Sequence, residues 1–287
     1  MKKYKICKII LVILAIFLCV AFYELLGICV AYKKQPEVSN TTKKETKNGS
    51  WNECSENTER AVIIEKNPEA LLQRVRLIKN AKKEIILSTF AFQSDESGKL
   101  ILGALHDAAD RGVHIRLLVD GMESWIDMEG NPYFYGLSSH ENVEIKLYNK
   151  ANPLKPWKMM GRMHDKYLIA DGKRYILGGR NTYNYFLGDF PGHKNYDRDV
   201  LVVCDEPEKE NSVNQLLEYF ETIWEQEDSG YFHDNKKLAN RKSVKNAVLE
   251  LQNGYQKYFE ENKERICDTD YTDETFETEK IALVSNP

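Results

Sequence analysis

Apolar residues are arranged in two ways along this chain. Near the start, Ile9 to Tyr23 is an unbroken uncharged run, and after Glu24 it resumes from Leu25 to Tyr32. Beyond residue 60, short apolar runs alternate with stripes at three- and four-residue spacing, the patterns of strands and of helices that cover them. Strands are predicted at Ala61–Glu65, Glu84–Phe92, His114–Asp120, Val143–Leu147, Tyr167–Ala170, Tyr175–Leu177 and Asp199–Val203. A helix opens at Pro68 with Leu71, Leu72, Val75 and Ile78 on one side, and another runs from Leu100 to Arg111. Two more follow the last strand: Val213, Leu216, Phe220, Ile223 and Trp224 share one face, and Val244, Val248, Leu251 and Tyr255 share the other helix's face. Strands alternating with helices predict an α/β layered sheet flanked by helices.

The first run changes the class of protein. From residue 9 to residue 32, a helix rising about 1.5 Å per residue extends roughly 36 Å, enough for the hydrocarbon core of a bilayer. Lys2, Lys3, Lys5 and Lys8 precede it, against Lys33 and Lys34 after it. The heavier basic flank predicts a cytoplasmic N-terminus and an extracytoplasmic folded region. Glu24 lies toward the outer end, where a charge costs less. A cleaved signal peptide is the competing reading, but the run is long for one and no clear small-x-small site precedes Lys33. The expected organisation is a cytoplasmic segment 1–8, one transmembrane helix 9–32, a polar tether 33–59, a folded domain 60–228 and a helical, acidic linker 229–280. At the end, Ile281–Val284 has the look of a strand that begins a further domain, with the chain stopping at Pro287.

Composition adds little beyond this. The hydrophobic share of 42% and charged share of 29% are ordinary for a globular chain, and the net charge of -4 argues against a protein whose main task is coating nucleic acid. Six cysteines show no zinc-site spacing. Asn40-Thr41-Thr42 and Asn48-Gly49-Ser50 are sequons of little weight.

The chemistry is concentrated in one stretch: His164-x-Lys166-x4-Asp171-x6-Gly178-Gly179-x-Asn181. In an extended segment, His164 and Lys166 project from one face because side chains alternate. Asp171-Gly172 is a hairpin turn signal, and the returning strand brings Gly178, Gly179 and Asn181 beside His164. Imidazole can attack phosphorus and later leave. A lysine and an amide can neutralise and hydrogen-bond the equatorial oxygens where charge develops. Glycines let backbone approach an anion closely. Fixed cations of this kind need no metal and no cofactor.

This motif resembles the HKD motif of the phospholipase D superfamily, with its downstream Gly-Gly-x-Asn. The flanks resemble bacterial cardiolipin synthases: Ser88–Gly98, Ala108–Gly121 and Leu216-x3-Phe220-x3-Trp224. The resemblance covers roughly residues 59–226 and implies a phospholipase D-like layered sheet. It implies His164 as nucleophile or its general-acid counterpart, Lys166, Asn181, Gly178 and Gly179 around the phosphate, and Asp171 orienting or supporting a histidine. It further implies a phosphatidyltransferase of cardiolipin synthase type acting on a phosphatidylglycerol-like lipid through a phosphohistidine. The departure is that family enzymes use two such motifs. His106, His114, His140, His193 and His233 remain here, and none begins a His-x-Lys pattern. The expected partner is therefore a second HKD half or a second copy in a homodimer, and residues 281–287 are expected to begin a second repeat that is cut off. Lys155, Trp157, Lys158 and Arg162, among prolines and methionines just before the motif, suit an anionic lipid interface, although a loop packed on the domain accounts for them equally. Asp197-Arg198-Asp199 is expected to pair near the site, with a plain surface ion cluster as an equal alternative. Two other readings stay open: hydrolysis, as a phospholipase or nuclease, and an inactive membrane-anchored module. Nucleic acid is not the expected partner.

Overall fold

The computed structural model describes residues 2–33, 43, 59–204, 211–233, 235–279 and 281–284. The polar tether expected at 33–59 and both sequons lie almost wholly outside them. The chain forms two compact units, one of residues 1–48 and 151–162, the other of residues 49–150 and 163–287.

In the first unit, helix α1 runs Lys2–Lys33. Its stretch Lys5–Lys33, with a mean hydropathy of 2.9, is long and apolar enough to cross a membrane. Residues 151–162 pack on it, with a 3-10 turn at Pro156–Lys158.

The second unit is built on a nine-stranded sheet. Its strands are β1 Glu59–Ile64, β2 Glu84–Thr89, β3 His114–Asp120, β4 Val143–Tyr148, β5 Lys166–Ala170, β6 Arg174–Gly178, β7 Asp199–Val203, β8 Ser229–Tyr231 and β9 Phe276–Thr278. They lie in the order β8-β4-β3-β2-β5-β6-β7-β1-β9, so β5, which carries the motif, is central. Strands β2, β3 and β4 are parallel, and the remaining neighbours are antiparallel. Helix α2 (Asn67–Asn80) leads from β1 to β2, and α3 (Glu96–Asp110) joins the parallel pair β2 and β3 as a crossover does.

Two-residue alternation sorts the strand residues between two cores. Ile85, Leu87, Leu117, Leu168, Ala170 and Leu201 join the larger core under α2, α3, α5 (Pro132–Ser138) and α7 (Lys242–Glu261). Ile86, Leu118, Tyr167, Ile169 and Val202 join a smaller core under α6 (Ser212–Trp224). Between β5 and β6 the turn is tight: Asp171 (φ 55°) and Gly172 (φ 62°) both have positive φ, and the Lys173 amide donates to the Ala170 carbonyl at 3.0 Å. Two consecutive left-handed residues are what a two-residue hairpin of matching twist requires, and Asp-Gly supplies them.

The expected domain boundary at 228 differs from what is observed. Strand β8 pairs with β4, and β9 pairs with β1, closing both sides of the sheet. Helix α7 buries Val244, Leu251, Tyr255 and Phe259. It approaches α3 closely at Gly103, where a Cβ would stand 2.7 Å from the Leu251 carbonyl oxygen and from Tyr255 Cβ. The stretch expected as a linker is thus part of the fold. Ile281–Val284 is not a strand: Ile281 and Leu283 pack on the smaller core, and the Leu283 amide donates to Gln215 at 2.9 Å.

Candidate active site

The strand registers bring four chain segments to one end of the sheet. Lys166 pairs with Thr89 across β5 and β2, Tyr167 pairs with Leu177 across β5 and β6, and Gly178 pairs with Asp199 across β6 and β7. The end of β2, the start of β5, the end of β6 and the start of β7 therefore converge. His164 lies just before β5, outside regular secondary structure, and is exposed. Lys166 begins the strand and is buried. Its ammonium donates to the His164 carbonyl at 2.7 Å and lies 5.3 Å from the centre of the Phe90 ring. The imidazole of His164 meets the same ring at a centroid distance of 4.6 Å. Phe90, which follows β2, thus forms a wall shared by the His164 imidazole and the Lys166 ammonium. Nothing in the sequence marks that role, since an apolar run reads equally as core.

Asn181 is 7% exposed, and its Oδ1 accepts from the Ala91 amide at 3.3 Å. The backbone continues this junction: Thr182 N donates to Ala91 O at 3.0 Å, and Gln93 N donates to Thr182 O at 3.3 Å. The Tyr183 hydroxyl bonds the same amide. Gly178 and Gly179 make room for β7: a Cβ on Gly178 would stand 2.5 Å from the Arg198 carbonyl oxygen, and one on Gly179 would collide with the Asp197 carboxylate.

Asp171 is not brought to His164. The two stand at opposite ends of β5, roughly 20 Å apart at about 3.3 Å per residue. The Asp171 carboxylate instead accepts backbone N–H bonds from Lys82, Lys83 and Glu84, at 2.8 Å, 2.7 Å and 3.0 Å, fastening the hairpin to the start of β2. Within this chain the Asp171 carboxylate therefore serves the hairpin, at the far end of β5 from His164.

Other acids surround the site. Asp120, at the end of β3, is 1% exposed. One of its oxygens accepts from Met163 N at 3.1 Å, the other from Met122 N at 3.0 Å and Glu123 N at 3.2 Å, capping α4 (Gly121–Asp127). Asp165, between His164 and Lys166, accepts from the Tyr219 hydroxyl at 2.9 Å. Burial pushes the Asp165 carboxyl above its ordinary value, partly offset by that hydrogen bond. Burial also lowers Lys166 below its ordinary 10.5, with Asp165 and Asp197 opposing the shift. Asp199, buried beneath Gly178, takes Arg74 at 2.9 Å and Arg180 at 3.3 Å. Arg180 also donates to the Ile64 and Glu65 carbonyls, which ties the motif strand to β1. The expected pairing of Asp197-Arg198-Asp199 near the site resolves into three fates. Asp197 faces Gly179, Asp199 is buried beneath Gly178, and Arg198 makes an exposed pair with Glu65 at 3.1 Å.

The four residues expected at a lipid interface, Lys155, Trp157, Lys158 and Arg162, belong to the unit containing α1 and are exposed there. Among the described residues, no group of three or more His, Cys, Asp or Glu side chains is placed to hold a metal ion.

Comparison with known proteins gives this geometry a context. Residues 74–224 match the family model described as the phospholipase D-like domain of cardiolipin synthase. An uncharacterized protein of Helicobacter pylori strain J99 is 30% identical over 212 residues, covering 69% of this chain and 39% of its own length. Cardiolipin synthase C of Escherichia coli K12 is 29% identical over 171 residues, 55% of this chain and 34% of the synthase. The chain thus spans about two fifths of the curated relatives it matches. Among solved structures, phosphatidylserine synthase of Haemophilus influenzae shares the fold, with a TM-score of 0.50 at 17% identity over 77% of this chain and 48% of the synthase.

Proposed function

Because the chain belongs to the phospholipase D superfamily, we propose that it is a membrane-anchored half of a cardiolipin synthase-type phosphatidyltransferase, with His164 as its nucleophile. The observation that carries this reading is the grouping of the His164 imidazole and the Lys166 ammonium against Phe90, at the end of the central strand where Asn181 also lies. In the proposed reaction a His164 nitrogen attacks the phosphorus of a phosphatidylglycerol-like lipid. The phosphorus–oxygen bond to the departing alcohol breaks, and that alcohol takes a proton from a second histidine. The hydroxyl of another lipid then gives its proton back to that histidine and attacks phosphorus, releasing His164. Lys166 and the Asn181 amide bind the non-bridging oxygens, where the transition state gathers charge.

The second histidine comes from another HKD half or a second copy of this chain. Each remaining histidine is engaged elsewhere: His106 and His140 with Asp110, His114 with Glu144, His193 with Asn195 and His233 with Glu129. Helix α1 holds the domain at the bilayer, and the basic excess before it favours a cytoplasmic N-terminus with the site outside.

The test is an assay of the full chain and its His164→Ala variant, reconstituted with labelled phosphatidylglycerol. Cardiolipin formed only with His164 is the expected result. Phosphatidic acid in its place moves the reading to hydrolysis, and absence of any His164-dependent product overturns it for this chain.

A further inference from the structure

Residues 151–162 form, with α1, a compact unit held by two specific contacts. Gly27 is a notch. A Cβ placed on it would collide with Pro156 Cγ, stand 2.6 Å from Pro156 Cβ and lie 3.2 Å from the Trp157 amide nitrogen. No side chain fits there while Pro156 does, and Pro156 is buried although the residues on both sides of it are exposed. One helical turn earlier, the Tyr23 hydroxyl donates to the Leu154 carbonyl at 2.9 Å. Between these two contacts on the helix lies Glu24, the acidic residue of an otherwise apolar stretch. Tyrosine and a carboxylate at one level mark a depth where polar groups are tolerated, the zone of head groups and not the hydrocarbon centre.

What the loop presents at that level is apolar and basic. Leu154 is 76% exposed, Met160 56% and Trp157 46%. Lys155 and Lys158 alternate with them, and both are exposed. Internal turns fix the segment: the Leu154 amide donates to Asn152 Oδ1 at 2.9 Å, Lys158 N to Lys155 O at 2.9 Å, and Met159 N to Pro156 O at 3.1 Å. An amphipathic tryptophan, two large apolar side chains and two cations in a pre-ordered loop match the acyl-to-head-group boundary of an anionic bilayer.

We infer that residues 151–162 are a second membrane-contacting element, docked in the Gly27 notch of α1, with Leu154, Trp157 and Met160 dipping into the outer head-group region of the bilayer that α1 spans. The inference rests on α1 being a membrane span and on no catalytic assignment. Along the chain, Arg162 ends the segment and His164 follows two residues later.

The experiment places the full chain in phosphatidylcholine–phosphatidylglycerol vesicles carrying acyl chains brominated near the head group, and reads quenching of tryptophan fluorescence. Trp157→Phe should remove a quenched component present in the wild type. Gly27→Leu, which fills the notch, should lose the same component while the protein still resists carbonate extraction. Leu154→Asp, which leaves α1 untouched, should weaken it too. Unchanged quenching in Trp157→Phe or in Leu154→Asp overturns the inference, and a Gly27→Leu protein quenched like wild type overturns the notch. Carbonate extraction of the wild type tests the span separately.

Discussion

The carboxylate of Asp120 holds the backbone amide of Met163 at 3.1 Å, and so binds the end of β3 to the residue immediately before His164, the proposed nucleophile. Asp120 is buried, and its other oxygen caps α4, so both ends of this link are fixed. Removing it leaves several N–H groups without an acceptor, at a cost of about 1–3 kcal/mol. Asp120→Ala is expected to lower both the urea midpoint and the rate of His164-dependent turnover. Asp120→Asn keeps one oxygen for Met163 and should recover part of the rate. Equal rates in the two variants, measured on folded protein, would count against a positioning role.

Asp171 should behave as a structural residue. It takes three backbone amides at the start of β2 and sits at a left-handed turn position. Asn tolerates that conformation and still accepts hydrogen bonds, whereas Ala does neither well. Asp171→Ala is expected to lose about 1–3 kcal/mol by thermal or denaturant unfolding, and Asp171→Asn less. Turnover per folded molecule should stay near wild type in both.

Burial lowers the Lys166 pKa below 10.5. The free site then loses its ammonium, and with it the charge proposed to bind phosphate, at a lower pH than an ordinary lysine would allow. The alkaline limb of kcat/KM, which reports the free enzyme, should fall below 10.5. Stability has the matching sign: the unfolded chain holds this proton more tightly, so in the window between the lowered value and 10.5 the Lys166 contribution to stability rises with pH. Lys166→Met should remove that limb along with most of the activity.

The two motif glycines should fail differently. A Cβ at Gly178 meets backbone, the Arg198 carbonyl oxygen at 2.5 Å and Asp199 Cα at 2.6 Å, which cannot swing aside. A Cβ at Gly179 meets only the Asp197 carboxylate, whose side chain is exposed and can turn away. Gly178→Ala is expected to cost several times more stability than Gly179→Ala, as read from denaturation midpoints. Gly179→Ala should mainly alter catalysis, because it moves a carboxylate that acts on Lys166.

Patterning along the chain determined the strands, the covering helices, the apolar first helix and the hairpin, because each depends on local periodicity or on turn chemistry held in adjacent residues. Asp171-Gly172 is the clearest case: the two residue types themselves select the positive-φ turn that is observed. The motif residues and their family were legible for the same reason, since their spacing is a local property. Helices α4 and α5 were not, because seven residues make only two turns and carry little periodic signal. Strands β8 and β9, of three residues each, owe their existence to pairing with β4 and β1 and not to their own side chains. Only the tertiary structure could set Phe90 against His164 and seat Asp120 behind Met163. Those relationships join residues tens of positions apart, and the strand register that creates them is a property of the whole sheet.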